Sequence, residues 1–376
     1  MDPTSFVCGE CKPLTSASAT PAKRRRKCVV IGLDGTRPDA LLLSSTTFLL
    51  PLLRTKGVSY TFTSTIAGKL PVSYPSWAET FTGTLNHGIK NNTDQGPPKT
   101  RNLLSSVIGI GLRTAMYMSG WCGFRNVFGN DSSSGDTFRS YGATSDHEAC
   151  SDSVDFCRVY GMEKDCDNDD LGAFEGDGEL VDDFCGRIEG EEEVEDASVL
   201  YLYNCDRVGH RDGFGLSTES YITAVREMID NRVSKIMKAV EAREARMNEE
   251  WLVIVCTDHG GTSRTDMEDC EGNFDGSDGG NAFGQGECEG VHGLGSIKQH
   301  RNTFLLIKVP GWVDRGGEII VDEFGESAKV TNVDVDKTVK DWFGIANDDG
   351  LGVARGIGGR RTRVEGGCAC CGNKLM

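Results

Sequence analysis

Cys28-Val-Val-Ile-Gly-Leu33, read as CVVIGL, runs without a polar break into Asp34-Gly35. A continuous apolar run of this length is what a strand buried on both faces of a parallel sheet requires, since helices cover each face. Two more runs have the same form. Ser198–Asn204 (SVLYLYN) leads into Cys205-Asp206, and Trp251–Thr257 (WLVIVCT) leads into Asp258-His259. Thr114–Met118 and Thr303–Val309 read as further strands, the latter ended by Pro310-Gly311. Between them lie helical stretches: Pro38–Leu53, its end limited by Pro51; Leu103–Leu112; and Ser217–Met247. In the last of these, Ile222, Val225, Ile229, Val233, Ile236, Met237 and Val240 repeat at helical spacing. Strands alternating with helices predict an α/β fold with a largely parallel central sheet and helices on both faces.

A chain of 376 residues can bury one large α/β core or two smaller ones. Met1–Ala22, rich in Ser, Thr, Ala and Pro, is expected to be disordered, and residues 23–345 form the expected catalytic domain. Within it, about 121–190 lacks a period and is expected to be a cap inserted above the sheet. About 265–290, rich in Gly and Asp, is expected to be a second insertion, and 346–376 a disordered Gly-, Arg- and Cys-rich tail. The net charge of −17 argues against a nucleic-acid polymer as a standing partner, though a local metal cluster can still hold a small anion. No stretch approaches the ~20 apolar residues of a membrane span, and Met1–Ala22 has no apolar signal core, so a cytoplasmic protein is expected. The oligomeric state is not readable.

Fifteen cysteines are an odd and high number. Cys28, Cys205 and Cys256 fall in expected strands and read as buried free thiols. Cys150, Cys157, Cys166, Cys185, Cys270 and Cys288 fall in expected loops, where disulfides form outside the cytosol. Cys8 and Cys11, with Cys368, Cys370 and Cys371, have spacing that admits a shared metal, with flexible-tail thiols the plainer reading.

The acids and histidines form a pattern. Asp34, Asp206 and Asp258 each follow an apolar strand, and the carboxyl ends of strands form the ligand crevice of open α/β sheets. The chain has six histidines, and three stand at such points: His210 four residues after Asp206, His259 beside Asp258, and His292 after the second insertion. Carboxylate and imidazole donors in this ratio suit Zn²⁺ and also admit Mn²⁺ or Fe. One by one, these residues also read as a turn aspartate, a satisfied core histidine and a loop histidine. In Leu70–Asn92, LPVSYPSWAETFTGTLNHGIKNN, Pro75 suits a helix's first turn and places Ser73 just before a helix N-terminus, which favours a bound phosphate. Ser73 reads either as a metal-activated nucleophile or, with Ser76, as an N-cap.

The ordered set VVIGLDG, SYPSW…TG…HGI, DRVGH, TDHGG and HG, from Lys27 to Pro310, resembles the alkaline phosphatase superfamily. Within it, the set is most similar to the type I phosphodiesterase/nucleotide pyrophosphatase branch. The resemblance implies two metals, one held by Asp34, Ser73, Asp258 and His259, the other by Asp206, His210 and His292. It implies that Asn92, with the backbone N–H after the nucleophile, holds a non-bridging phosphate oxygen; Asn91 is the fallback. His300 is the substitute for His292, because the insertion before His292 is longer than expected. The implied reaction is hydrolysis of a small phosphate ester or nucleotide through a phosphoseryl intermediate on Ser73. Many relatives in this branch carry threonine at that position, which leaves a phosphomonoesterase or phosphomutase open. A catalytically inactive binding protein on the same fold predicts a lost ligand, and none is missing. Sulfatases of the superfamily need Arg two residues after the motif proline, where this chain has Trp77. Tyr74 and Trp121 are candidates for substrate contact, and Trp121, Phe124, Phe128 and Tyr141 supply either a stacking surface for a base or the insertion's own small core.

Overall fold

From Cys28 on, every residue of strand β1 (Arg25–Leu33) is buried, as its unbroken apolar run requires. The computed structural model describes residues 24–44, 47–54, 60–66, 71–94, 96–129, 154–160, 172–263, 290–293, 298–310 and 331–346. The expectations for residues 1–22, for Tyr141, for the tail beyond 346 and for 265–289 lie outside them. So do those for Cys8, Cys11, Cys150, Cys166, Cys270, Cys288, Cys368, Cys370 and Cys371.

β1 sits in a seven-stranded sheet with β2 (Tyr60–Ile66), β3 (Thr114–Ser119), β4 (Phe156–Tyr160), β5 (Ala197–Leu202), β6 (Glu249–Cys256) and a strand at Asn302–Lys308. Two short strands, β7 (Thr262–Ser263) and β8 (Gly290–Val291), form a separate ribbon, so the Asn302–Lys308 strand is β9. The main order is β2-β9-β6-β1-β5-β3-β4. β1 pairs in parallel with both β5 and β6, β3 in parallel with β4 and β5, and β9 antiparallel with β2 and β6. The sheet is therefore largely parallel, with one reversed strand.

Helices close both faces. Because side chains alternate along a strand, Val29, Ile31 and Leu33 face one core and Cys28 and Val30 the other. The first core is completed by α1 (Pro38–Ser44), α5 (Gly172–Gly190), α7 (Glu219–Glu227) and α8 (Ser234–Arg246), through Leu41, Phe184, Val225 and Val240. The second is completed by α3 (Ser73–Thr82), α4 (Leu103–Ile108) and α10 (Asp334–Phe343), through Trp77, Phe81, Leu104 and Val339. The remaining helices are α2 (Leu49–Arg54), α6 (Asn204–Asp212) and α9 (Lys298–Arg301).

Four sequence expectations change. The single helix over Pro38–Leu53 is two, α1 and α2, because Pro51 occupies the first turn of α2, where its missing N–H costs nothing. The helix over Ser217–Met247 is continuous but contains a π segment, Met228–Val233, between α7 and α8. The stretch 121–190 is not wholly a cap: β4 is the sheet's edge strand, and α5 buries Leu180, Val181, Phe184 and Ile188 on the core. Cys185 lies in α5 as a buried free thiol, like Cys28, Cys205 and Cys256, and Cys157 in β4 is disulfide-bonded.

After α3, Gly83 caps the helix in the left-handed region (φ 66°) and the chain turns through His87. His87 is buried, its Nδ1 accepts the Ile89 N–H at 3.1 Å, and burial lowers its pKa from 6.5 to about 4. The unfolded chain then binds more protons than the folded one between pH 6.5 and about 4, so stability rises with pH through that window and is lost on acidification. By pH 5, His87 is expected to remove about 2 kcal/mol relative to pH 7. His87→Asn keeps an acceptor for Ile89 and should flatten this part of a urea-unfolding pH profile.

Candidate active site

Three adjacent parallel strands, β6, β1 and β5, end side by side and deliver three aspartates to one edge. Asp34 directly follows β1, Asp258 lies two residues past β6, and Asp206 sits in the first turn of α6, just after β5. All three are buried. His259 follows Asp258, and His210 stands one turn after Asp206 on α6. His292 is brought in next to β8, its ring stacked on that of His259 with centroids 3.9 Å apart.

The arrangement is asymmetric in a specific way. Each aspartate has one oxygen held by the protein and one oxygen buried with no partner. Asp34 Oδ2 accepts the Trp77 Nε1–H at 3.1 Å and the Tyr201 hydroxyl, while Oδ1 has none. Asp258 Oδ1 accepts the Gly35 N–H at 3.2 Å, and Oδ2 has none. Asp206 Oδ2 lies 3.4 Å from His210 Nε2, and Oδ1 has no hydrogen bond. The three orphan oxygens face one nitrogen. His259 Nε2 is 3.4 Å from Asp34 Oδ1, 3.4 Å from Asp258 Oδ2 and 3.9 Å from Asp206 Oδ1. His259 Nδ1–H donates to the Gly260 carbonyl at 2.8 Å, which leaves the Nε2 lone pair toward the carboxylates. His292 Nε2 lies 3.9 Å from Asp206 Oδ1 and 2.9 Å from His210 Nε2.

Buried carboxylate oxygens without donors are costly unless a cation balances them. Burial, then Asp206, raises the Asp34 pKa well above the carboxylate range; burial, then Asp34 and Asp206, does the same to Asp258. For Asp206, burial pushes the pKa up, but the His210 charge and hydrogen bond and the His259 charge outweigh it and hold it low. Burial lowers the His259 pKa, and burial with its imidazole neighbours lowers that of His292 well below the ordinary value, so both offer lone pairs. Two donor groups, Asp34–Asp258–His259 and Asp206–His259–His292, have ligand atoms within 4.8 Å of one another. The donor set fits divalent metal.

Ser73 opens α3, and its Oγ lies 3.2 Å from His259 Nε2. The helix N-cap is Val72, with no side-chain cap, so neither Ser73 nor Ser76 serves as the cap residue. The Tyr74 N–H donates to Asn92 Oδ1 at 2.8 Å, which places Asn92 beside the start of α3. Asn91 instead closes a local turn, accepting from the Thr93 N–H and hydroxyl at 2.9 and 2.7 Å. His300 is buried behind the cluster, where Nε2 meets the Thr262 hydroxyl at 2.9 Å and the carbonyl accepts the Gly260 N–H. The structure thus brings His292 into the cluster and leaves His300 outside it.

Of the aromatic candidates, Tyr74 is the one corrected, while Phe124 and Phe128 take the core alternative. Tyr74 is fully buried in the core under α3, its hydroxyl donating to the Gly96 carbonyl, so its ring does not face the cluster's opening. Phe124 and Phe128 pack with Trp77 and Phe81 as core, and Trp121 lies half-buried, edge-on to Tyr74 at 6.5 Å. Three contributors escape a reading of ligand types alone. Trp77 carried a signal, standing four residues after Ser73; Tyr201 read only as strand packing; and Gly35 is needed for its left-handed φ of 60°. A Cβ on Gly35 would lie 2.5 Å from Asp206 Oδ1 and 2.8 Å from its Cα. Gly35→Ala is expected to cost about 2–4 kcal/mol of stability and, by displacing Asp206, about 10²-fold in turnover. Thermal unfolding with ester assays checks both.

No family sequence model matches the chain, and no curated protein sequence matches it. Solved structures do match. Murine ectonucleotide pyrophosphatase/phosphodiesterase 5, as an inactive variant in complex with AMP, aligns at TM-score 0.54 and 13% identity, over 86% of this chain and 96% of that one. The phosphonate monoester hydrolase of Agrobacterium radiobacter aligns at TM-score 0.54 and 14% identity, over 86% and 74%. BT1596, a 2-O GAG sulfatase, aligns at TM-score 0.51 and 13% identity, over 87% and 72%. These neighbours belong to the alkaline phosphatase superfamily, and what this chain shares with them at such identities is the alkaline phosphatase-like α/β fold.

Proposed function

We propose that the chain is a two-metal hydrolase of small phosphate esters, of the phosphodiesterase/nucleotide pyrophosphatase type, with Ser73 as nucleophile. The observation that carries this reading is the convergence of three unpartnered aspartate oxygens on His259 Nε2, with Ser73 Oγ 3.2 Å from the same nitrogen. Asp34, Ser73, Asp258 and His259 would hold one metal, and Asp206, His210 and His292 the other, most simply Zn²⁺. Metals bound there would supply Lewis-acid chemistry, lowering the serine hydroxyl's pKa and neutralising charge on the attacking and leaving oxygens.

The chain's own residues do the rest. Ser73 Oγ gives up its proton to solvent and forms the bond to phosphorus as the P–O ester bond breaks, and the ester oxygen departs with that electron pair and takes a proton from water. Water then cleaves the phosphoserine and restores the hydroxyl. The Asn92 carboxamide, anchored through Oδ1 on the Tyr74 N–H, offers its Nδ2–H to a non-bridging phosphate oxygen. The fold alone does not choose the ester, since hydrolases of phosphate, phosphonate and sulfate esters share it. The AMP complex of the phosphodiesterase 5 neighbour favours a nucleotide. Trp77 in place of the sulfatase arginine argues against sulfate, and serine at position 73 keeps a phosphomonoesterase as the second reading. Among the described residues no helix is long and apolar enough to cross a membrane.

Metal analysis with a panel of p-nitrophenyl phosphomonoester, phosphodiester and nucleotide esters tests this. Diester or nucleotide turnover dependent on bound metal supports it. Faster monoester turnover replaces the substrate class, and tight metal occupancy without turnover of any ester sinks the enzyme reading.

A further inference from the structure

Of the cluster's three aspartates, Asp34 alone has two side-chain donors on one oxygen. Trp77 Nε1–H and the Tyr201 hydroxyl both donate to Oδ2, and the other oxygen, Oδ1, is buried with no partner 3.4 Å from His259 Nε2. We propose that Trp77 and Tyr201 are positioning residues that select which oxygen of Asp34 faces the metal, and that Trp77 also ties the nucleophile's helix to that carboxylate. The inference rests on the two-metal reading above.

The asymmetry carries the argument. A buried indole N–H and a buried phenol each need an acceptor, but any acceptor would satisfy them. Two donors on one oxygen and none on its twin instead fix the carboxylate's rotation, presenting a lone-pair-rich oxygen to the cluster. Donors behind a ligating group raise metal affinity in this way, and their loss typically costs 10–100-fold. Trp77 adds a second constraint. It stands four residues after Ser73, so the two share one face of α3, one turn apart. The indole is itself immobile: it lies over Gly32, where a Cβ would approach its Cη2 to 2.6 Å, and packs edge-on against Phe124 and Tyr201. Ser73 Oγ and Asp34 Oδ1 are thereby held in register by one helical turn and one hydrogen bond.

The test is calorimetric titration of the chelator-stripped full chain with Zn²⁺, alongside thermal unfolding. The proteins are wild type, Trp77→Phe, Tyr201→Phe, the double variant and Phe124→Leu. Tyr201→Phe removes only a hydroxyl and so guards against a Trp77 variant that fails to fold. Phe124→Leu disturbs the same aromatic packing, since Phe124 stacks on Tyr201 at 4.0 Å, without touching Asp34. Each donor variant is expected to bind Zn²⁺ about 10–100-fold more weakly, and the double variant more weakly than either. Phe124→Leu should lower the melting temperature and leave affinity within about twofold. Unchanged affinity in Tyr201→Phe and the double variant overturns the proposal, as does an equal loss in Phe124→Leu. Wild-type protein that binds Zn²⁺ but hydrolyses no ester sinks the hydrolase reading alone, and weaker binding by the donor variants then still supports the orientation.

Discussion

Replacing Ser73 with alanine is expected to lower phosphate-ester turnover by about 10³-fold or more while the folded structure survives. The loss is large because the other hydroxyls of α3 are engaged or turned away from the cluster. Ser73 Oγ is 3.2 Å from His259 Nε2 at the first position of α3, whereas Ser76 is buried one turn further on and Thr80 and Thr82 bond back to helix carbonyls. The fold survives because α3 is anchored elsewhere. Trp77 and Phe81 lie in the core, and the helix takes no side-chain cap from Ser73. Circular dichroism and melting near wild type, with p-nitrophenyl ester rates at background, is the expected pair of results. Turnover undiminished in Ser73→Ala removes the proposed nucleophile.

On the two-metal reading proposed above, His259→Ala is expected to empty the position held with Asp34, Ser73 and Asp258, to weaken the neighbouring one, and to reduce turnover at least as far as Ser73→Ala does. His259 Nε2 lies within 4 Å of oxygens from all three aspartates, and it belongs to both candidate donor groups. Its removal leaves Asp34, Asp206 and Asp258 buried together with less to balance them. It also strips the Gly260 carbonyl of its donor, a loss of about 1–3 kcal/mol in a buried site. On that reading, metal content by plasma mass spectrometry should fall from about two per chain to about one or less. Retention of both metals in His259→Ala removes it from the ligand set.

Much of this was legible in the sequence, for a physical reason. Strands buried on both faces must be apolar throughout, so CVVIGL, SVLYLYN and WLVIVCT announce themselves, and the polar residue that ends each one falls at the sheet's carboxyl edge. Pro51 and the 121–190 stretch were harder. A proline marks a helix start as readily as an end, and β4 and α5 are embedded among turn-rich residues that hide their periods.

Sequence by itself determined the α/β class, the three strand-end aspartates and the serine at a helix start, because each follows from local periodicity and local backbone chemistry. Tertiary structure decided the rest. It decided that β6, β1 and β5 are neighbours, which alone makes three aspartates one cluster. It placed His292 and not His300 against His259, and turned Tyr74 into the core. It also gave Asp34 its two donors, Trp77 and Tyr201, which lie 43 and 167 residues away along the chain. Separations of that size leave no periodic trace, since such contacts form only when the sheet brings distant strands and helices together.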